Sequence, residues 1–190
     1  MLKPNLPIQT ERLLLRGATS DDVEAMYVYK SREDVTRYVP YSPLSRDEIA
    51  ERLADRWSLT ELTEEGQGLT LVIEERSSGR VLGDVVLFWR SAEHRLGEIG
   101  YMLSPEAMGH GYATEASREL LRIGFEDFAL HRIIARLDAR NTASARVLER
   151  LGMRREAHHL EDEWFKGEWS DTFVYAMLVH EWHGSSGLSR

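Results

Sequence analysis

The period of the apolar positions changes several times along the chain, and each change predicts an element. Leu13-Leu14-Leu15 is a short apolar run that reads as a buried strand. Thr19-Ser20-Asp21-Asp22 then offers capping oxygens and first-turn carboxylates to a helix running through about Lys30. Ser45 and Glu48 have the spacing of a capping box, and Ile49, Leu53 and Trp57 follow at helical spacing. Between these helices the aromatic, proline-broken segment Tyr38 to Pro43 predicts a loop, equally suited to cover a core edge or to line a substrate site.

Leu69 to Glu75 and Val81 to Trp89 are β-rich runs around Arg76-Ser77-Ser78-Gly79-Arg80, the pattern of a hairpin. Gly97 to Leu103 alternates as a strand. Tyr112 to Phe128 carries Ala113, Ala116, Leu120 and Gly124 on one helical face, widened by Leu121, Phe125 and Phe128. A strand over Arg132 to Asp138 leads to a helix from Thr142 to Leu151, stopped by Gly152. Two β segments, about Met153 to Phe165 and Trp169 to His180, meet at Lys166-Gly167. The order is that of one mixed α/β domain over residues 1–183, with a flexible tail expected over 184–190, where Gly184-Ser185-Ser186-Gly187 begins.

Composition narrows the function. The chain has 190 residues, and 24 Lys+Arg against 32 Asp+Glu give a net charge of −8, which disfavours nucleic acid and suits cationic partners. The absence of cysteine removes disulfides, thiolate metal sites and a cysteine nucleophile. No apolar run approaches a membrane span and the N-terminus has no apolar signal core, so a soluble, cytoplasmic protein is expected.

The most informative stretch is Ser104-Pro105-Glu106-Ala107-Met108-Gly109-His110-Gly111-Tyr112-Ala113-Thr114, between a strand and a helix. Its glycines allow close backbone approach, and unpaired N–H groups at a helix start form an anion site suited to a pyrophosphate. A Walker loop would need Lys after Gly111, where Tyr112 stands, and a dinucleotide fingerprint would need Gly or Ala where Thr114 stands. Neither pattern fits.

The run Gly97-Glu98-Ile99-Gly100-Tyr101-Met102-Leu103, Pro105 and Gly109-His110-Gly111-Tyr112-Ala113-Thr114-Glu115-Ala116 resembles the acetyl-CoA loop of GNAT N-acetyltransferases. Asn141 to Met153 is similar to that superfamily's second cofactor element. Thr10 to Arg16 and Trp169-Ser170-Asp171 with Val174-Tyr175 resemble its RimJ/RimL branch, which acetylates ribosomal-protein N-termini. The resemblance implies a mostly antiparallel sheet, splayed at the cofactor site and flanked by about four helices. It implies acetyl-CoA as co-substrate, held by the backbone of Met102 and Leu103, by Met108, Gly109, His110, Gly111, Tyr112, Ala113 and Thr114, and by Asn141 and Ser144. Where the superfamily usually carries Gln or Arg, this chain has Glu106, which weakens cofactor affinity unless its side chain turns to solvent.

Acetyl transfer needs a neutral amine, a stabilised oxyanion and a proton for the leaving thiolate. A peptide α-amine with a pKa of about 8 needs only a modest base. Glu163, in the acidic run Glu161-Asp162-Glu163, and Glu98, opposite Ile99 on the central strand, compete for that role. With Asp171 they could instead simply attract a cation. Ser144 is the candidate acid, because Leu148 stands where many GNAT enzymes carry a tyrosine. The expected reaction is direct attack in a ternary complex, with a protein N-terminus as acceptor and a monomer or homodimer as the enzyme. The alternatives are a small amine (aminoglycoside, polyamine or amino acid) as acceptor, or a CoA-binding module without turnover.

No metal site is expected. His180-Glu181-Trp182-His183 is one residue short of a zinc-helix motif, and His158 and His159 fall on opposite faces of a strand. The tryptophans read as core and rim.

Overall fold

The apolar runs become strands of a single sheet in the computed structural model, which describes residues 1–186. The strands are β1 (Ile8–Gln9), β2 (Leu13–Gly17), β3 (Gly68–Glu75), β4 (Val81–Ser91), β5 (Leu96–Leu103), β6 (Arg132–Asp138), β7 (Arg154–Phe165) and β8 (Glu168–Leu178). Their spatial order is β1-β2-β3-β4-β5-β6-β8-β7. Every neighbouring pair is antiparallel except β5 and β6, which a helical crossover connects in parallel.

The helices are α1 (Val23–Lys30), α2 (Glu33–Thr36), α3 (Arg46–Arg52), α4 (Tyr112–Arg122), α5 (Thr142–Arg150) and α6 (Val179–Ser186). Four of them match the periodicity; the single turn α2 and the C-terminal α6 add to it. The capping box is formed, with Glu48 N–H donating to Ser45 Oγ and Ser45 N–H to Glu48 Oε2 at 2.8 Å.

Apart from β7, whose residues are mostly exposed, the sheet is covered on both faces. On one, α4 and α5 pack Leu120 and Leu148 against Ile99, Leu103, Ile133 and Tyr175. On the other, α1 and α3 pack Met26, Tyr29, Ile49 and Leu53 against Val72 and Met102. Alternation along β5 thus sends Ile99, Tyr101 and Leu103 towards α4 and α5, and Glu98 and Met102 to the opposite face.

The chain's end departs from the sequence reading. β8 stops at Leu178 rather than near His180, and the tail expected from Gly184 is helical as far as Ser186; residues 187–190 of that tail lie outside the described residues. The cause lies in two side chains. Glu181 accepts the Leu178 N–H at 2.6 Å and so caps α6, while Trp182 is buried, stacks on Phe125 and donates its Nε1–H to Glu126 at 2.8 Å.

β5 and β6 pair only through Leu96, Gly97 and Glu98, opposite Arg132, Ile133 and Ile134. Beyond Glu98 the two strands part, although β5 stays paired with β4 as far as Leu103. Gly83 on β4 makes this possible. A Cβ there would sit 2.1 Å from the Met102 carbonyl oxygen, so any side chain would push the end of β5 off β4 and back across the opening.

Candidate active site

The loop between β5 and α4 is held open by its backbone. Gly109 and Gly111 both have φ of +82°, and Gly111 is the residue from which α4 starts. The first helical bond runs from Glu115 N–H to Gly111 O at 3.1 Å, and the N–H groups of His110 to Thr114 find no acceptor within the described residues. The Thr114 hydroxyl is buried and also lacks a partner. Such a row of free donors at a helix N-terminus fits a pyrophosphate.

Distant side chains brace this loop. Glu115 accepts from the Thr10 hydroxyl at 2.5 Å, the Arg12 N–H at 3.0 Å and Arg12 Nε at 2.7 Å. Arg12 in turn donates to the His110 carbonyl at 2.9 Å and lies 4.6 Å over the Tyr112 ring. Burial pushes the Glu115 carboxyl up, but the Thr10 and Arg12 donors outweigh it and hold the group below the usual carboxylate range. Glu106 pairs with Arg80 at 2.9 Å and turns to solvent, its side chain 79% exposed, so its charge is compensated away from the free N–H groups. Met108 and His110 are exposed.

Across the opening, Asn141 caps α5 by accepting the Ser144 N–H at 3.1 Å. Tyr101, which sequence reading passed over, donates its hydroxyl to the Ser144 carbonyl at 2.9 Å and so ties β5 to α5 across the gap. Burial raises the Tyr101 pKa despite that bond. Its alternation with Ile99 and Leu103 was the available signal. Leu148 is 1% exposed in the core.

On the opposite face the two candidate bases come to the same side of the sheet without touching. Glu98, at the vertex of the opening, is half-buried and pairs with Arg90 at 2.8 Å. Glu163 is exposed and pairs with Arg136 at 3.0 Å, an arginine that also reaches Asp162 at 3.4 Å. Asp171 does not join them. Glu163 is in register with Ser170, so Asp171 points to the other face, where it meets His158 at 2.9 Å and the Glu161 N–H at 3.0 Å. The cation-attracting cluster of Glu98, Glu163 and Asp171 is therefore split, and in the acidic run Asp162 and Glu163 share Arg136.

A cleft of about 810 Å³ opens between the α1–α2 segment and the turn joining β7 to β8. Lys166 in that turn donates to the Thr36 carbonyl at 2.6 Å and fixes the turn against the end of α2. Ser42, Phe165 and Lys166 also line an adjoining recess of about 490 Å³, whose walls include Tyr41 and Glu163. The expected Tyr38 to Pro43 loop thus lines a cavity.

Tyr41 links this recess to β5, its hydroxyl 3.8 Å from Met102 Sδ. Beneath lies a buried ion pair: Lys30, 2% exposed, meets Asp84 Oδ2 at 2.6 Å, and Tyr29 donates to the same oxygen at 2.6 Å. Lys30 Nζ also lies 4.6 Å over the Trp57 ring and 4.0 Å from Met102 Sδ. Removing either partner would strand a buried charge, so this cluster holds α1, β4 and β5 in register.

Among the described residues no group of three His, Asp or Glu side chains comes together as a metal site, and no helix is long and apolar enough to cross a membrane.

A parallel pair of strands parted over a helix N-terminus, inside an otherwise antiparallel sheet, is the architecture of an acyl-CoA-dependent acetyltransferase. Residues 12–154 match the model of the acetyltransferase (GNAT) domain, and the chain belongs to that family. It is similar to the uncharacterized N-acetyltransferase YnaD of Bacillus subtilis (strain 168), 31% identical over 176 residues, 93% of this chain and 99% of that protein. A GNAT-family acetyltransferase from Bacillus anthracis superposes with a TM-score of 0.83 at 31% identity, over 93% of this chain and 100% of the other. The fold is also shared with a spermidine N-acetyltransferase from Vibrio cholerae, solved with CoA and spermine, at a TM-score of 0.79 and 21% identity over 92% and 99% of the two chains. The protein is an N-acetyltransferase of GNAT type.

Proposed function

We propose that the protein transfers the acetyl group of acetyl-CoA to the α-amine at the N-terminus of a peptide or protein, by direct attack in a ternary complex. The observation that carries this is the shape of the cleft. It is lined largely by exposed side chains, so it runs open to solvent, and it narrows into the recess of Tyr41 and Glu163, whose Tyr41 reaches β5. An extended chain can lie in such a groove, whereas a small amine is better enclosed on all sides.

In this reading the free N–H groups of His110 to Thr114 take the pyrophosphate, with Met108 and Gly109 alongside, and the pantetheine arm enters between β5 and β6. The edge of β5 that no longer pairs with β6, around Met102 and Leu103, and the start of α5 at Asn141 and Ser144 then line the arm. Glu163 accepts the proton of the amine, directly or through one water; Glu98 is the second candidate. Backbone N–H groups where β5 parts from β6 stabilise the oxyanion, and Ser144 returns a proton to the thiolate. Of the two features that favour a module without turnover, Glu106 and Leu148 in place of a tyrosine, the first is offset by its pairing with Arg80.

The test compares kcat/KM for short peptides beginning with Ala, Ser or Met against a panel of small amines, spermidine included. Peptide turnover exceeding that of every small amine is expected. Inert peptides beside one efficient small amine would overturn the proposal.

A further inference from the structure

We infer that the cleft selects acceptors that carry a carboxylate close to the reacting amine, bound by Lys166 and Arg37. This rests on the acetyl-transfer reading above but not on the acceptor's being a peptide. The protein's net charge of −8 suggests the reverse preference, for a cation, yet the charges of the cleft itself are distributed otherwise.

Most of the charged groups lining the cleft and its recess are already satisfied. Arg32 pairs with Asp34 at 2.9 Å. Arg140 is held by Asp138 at 2.6 Å and by Glu168 at 2.5 Å. Glu163 is paired with Arg136. What remains is Arg37, Lys166 and a rim carboxylate, Glu33, none of which makes an ion pair among the described residues. Two cations therefore face one carboxylate.

Both cations have donors to spare. Lys166 Nζ gives one hydrogen to Thr36 O, leaving two for a ligand. Burial lowers the Lys166 pKa, and no neighbouring carboxylate opposes that shift. The Arg37 guanidinium rests 5.3 Å from the centre of the Tyr38 ring, which orients its planar fork without consuming its N–H groups. A carboxylate entering the cleft gains charge-assisted bonds from both, whereas a polyamine would bring further positive charge against them.

Lys166 and Arg37 lie on segments 129 positions apart in sequence, bridged by the Lys166 to Thr36 bond, which explains why no motif announces them. The carboxylate can be an Asp or Glu side chain early in a peptide, or the acid group of a small amino acid. The two sources share their chemistry and need separate arms of one experiment.

The experiment measures kcat/KM in two matched series. One is a set of Ala- and Ser-led peptides with Glu, Gln or Lys at positions two and three; the other is a set of small amines of similar size with and without a carboxylate. Acidic acceptors are expected to exceed neutral ones about tenfold, the worth of one charge-assisted hydrogen bond, with Lys-bearing and polyamine acceptors last. The ratio of acidic to neutral turnover should fall towards one in Arg37→Gln and in Lys166→Gln. Lys166→Gln also loosens the turn, so Arg37→Gln, which breaks no bond between elements, is the cleaner variant, and Lys166→Arg should restore the ratio. A preference seen only among small amines would end the peptide reading and leave this inference standing. Neutral or cationic acceptors matching acidic ones in both series, or an unchanged ratio in Arg37→Gln, would overturn it.

Discussion

In the proposed reaction the glycine loop at the start of α4 and the turn between β7 and β8 face the acetyl group from two sides, and they are made of different material. At the loop the ligand-facing groups are backbone N–H donors from consecutive residues, His110 to Thr114, and side chains such as Arg12, Glu115 and Tyr112 stand behind them as braces. At the turn the groups facing the cleft are side chains, Arg37, Tyr41, Glu163 and Lys166, brought together from the two ends of the fold. A backbone site reads any ligand with the right phosphate geometry and changes little when its side chains change. A side-chain site can be rewritten one residue at a time, which suits the half that decides the acceptor.

The largest effect should come from attacking the backbone half with charge. Gly111→Asp is expected to remove measurable acetyl-CoA binding in calorimetry. Space is not the cause, since a Cβ there meets only Arg12 Nη2 at 3.5 Å, and Asp tolerates φ of +82° better than most residues. The cause is a carboxylate set among the donors that would hold the pyrophosphate. Gly111→Ala, which adds strain of about 1–2 kcal/mol without charge, should weaken binding far less. If Asp and Ala behave alike, strain rather than charge governs the loop, and the contrast drawn above fails.

The next effect separates the two carboxylates. With Glu163 as base, Glu163→Gln should lower kcat about a hundredfold and leave acetyl-CoA affinity nearly intact, as loss of general-base catalysis does. Glu98→Gln should do less, because Glu98 is half-buried against Arg90 at the vertex of the opening. The reverse ranking assigns the base to the central strand instead. Equal, small losses would mean that solvent deprotonates the amine. Ser144→Ala follows, with a loss of about tenfold in kcat if its hydroxyl protonates the thiolate. Ser144 touches Tyr101 and Asn141 only through backbone atoms, so this substitution leaves the cap and the bridge across the opening in place.

The same contrast explains what was legible in the sequence. The β5–α4 loop and the cap of α5 are contiguous, and their local geometry follows from glycine positions and capping oxygens within a dozen residues. Both could be read without coordinates. Glu106 could not be judged, because its partner Arg80 lies across a strand pairing. Tyr101 was visible only as one more apolar residue, since its hydroxyl partner is a backbone carbonyl on another element. The pairing of Glu163 with Arg136 follows the register shift between His159 and Glu163, and its separation from Asp171 follows the one-residue shift between Arg155 and Ala157; no local pattern encodes either. Gly83 looked like any strand glycine until the Met102 carbonyl beside it was known. At the C-terminus, α6 was missed because Trp182 is drawn into the core by Phe125 and Glu126, residues more than fifty positions earlier.

The smallest expected effect tests whether the braces behind the backbone site matter at all. Glu115 and Arg12 are partly exposed, their side chains 17% and 42% accessible, so their ion pair is screened and worth at most about 1 kcal/mol. Glu115→Gln should therefore weaken acetyl-CoA binding by no more than about fivefold. The pH dependence has a definite sign. The Glu115 carboxyl is held below its ordinary value of 4.5, so the ionised form belongs to the intact brace. Its contribution is fully present above that value and is lost as pH falls through the lower pKa of the folded protein. Calorimetry on wild type and Glu115→Gln in parallel cancels titration of the cofactor's own phosphates. The wild-type advantage should stay constant from pH 7 to about 5 and vanish as the carboxyl protonates below its ordinary range. An advantage that persists in acid would mean that Glu115 acts by shape, through its bonds to Thr10 and the Arg12 N–H. The loop would then owe its geometry to packing and not to the charge behind it.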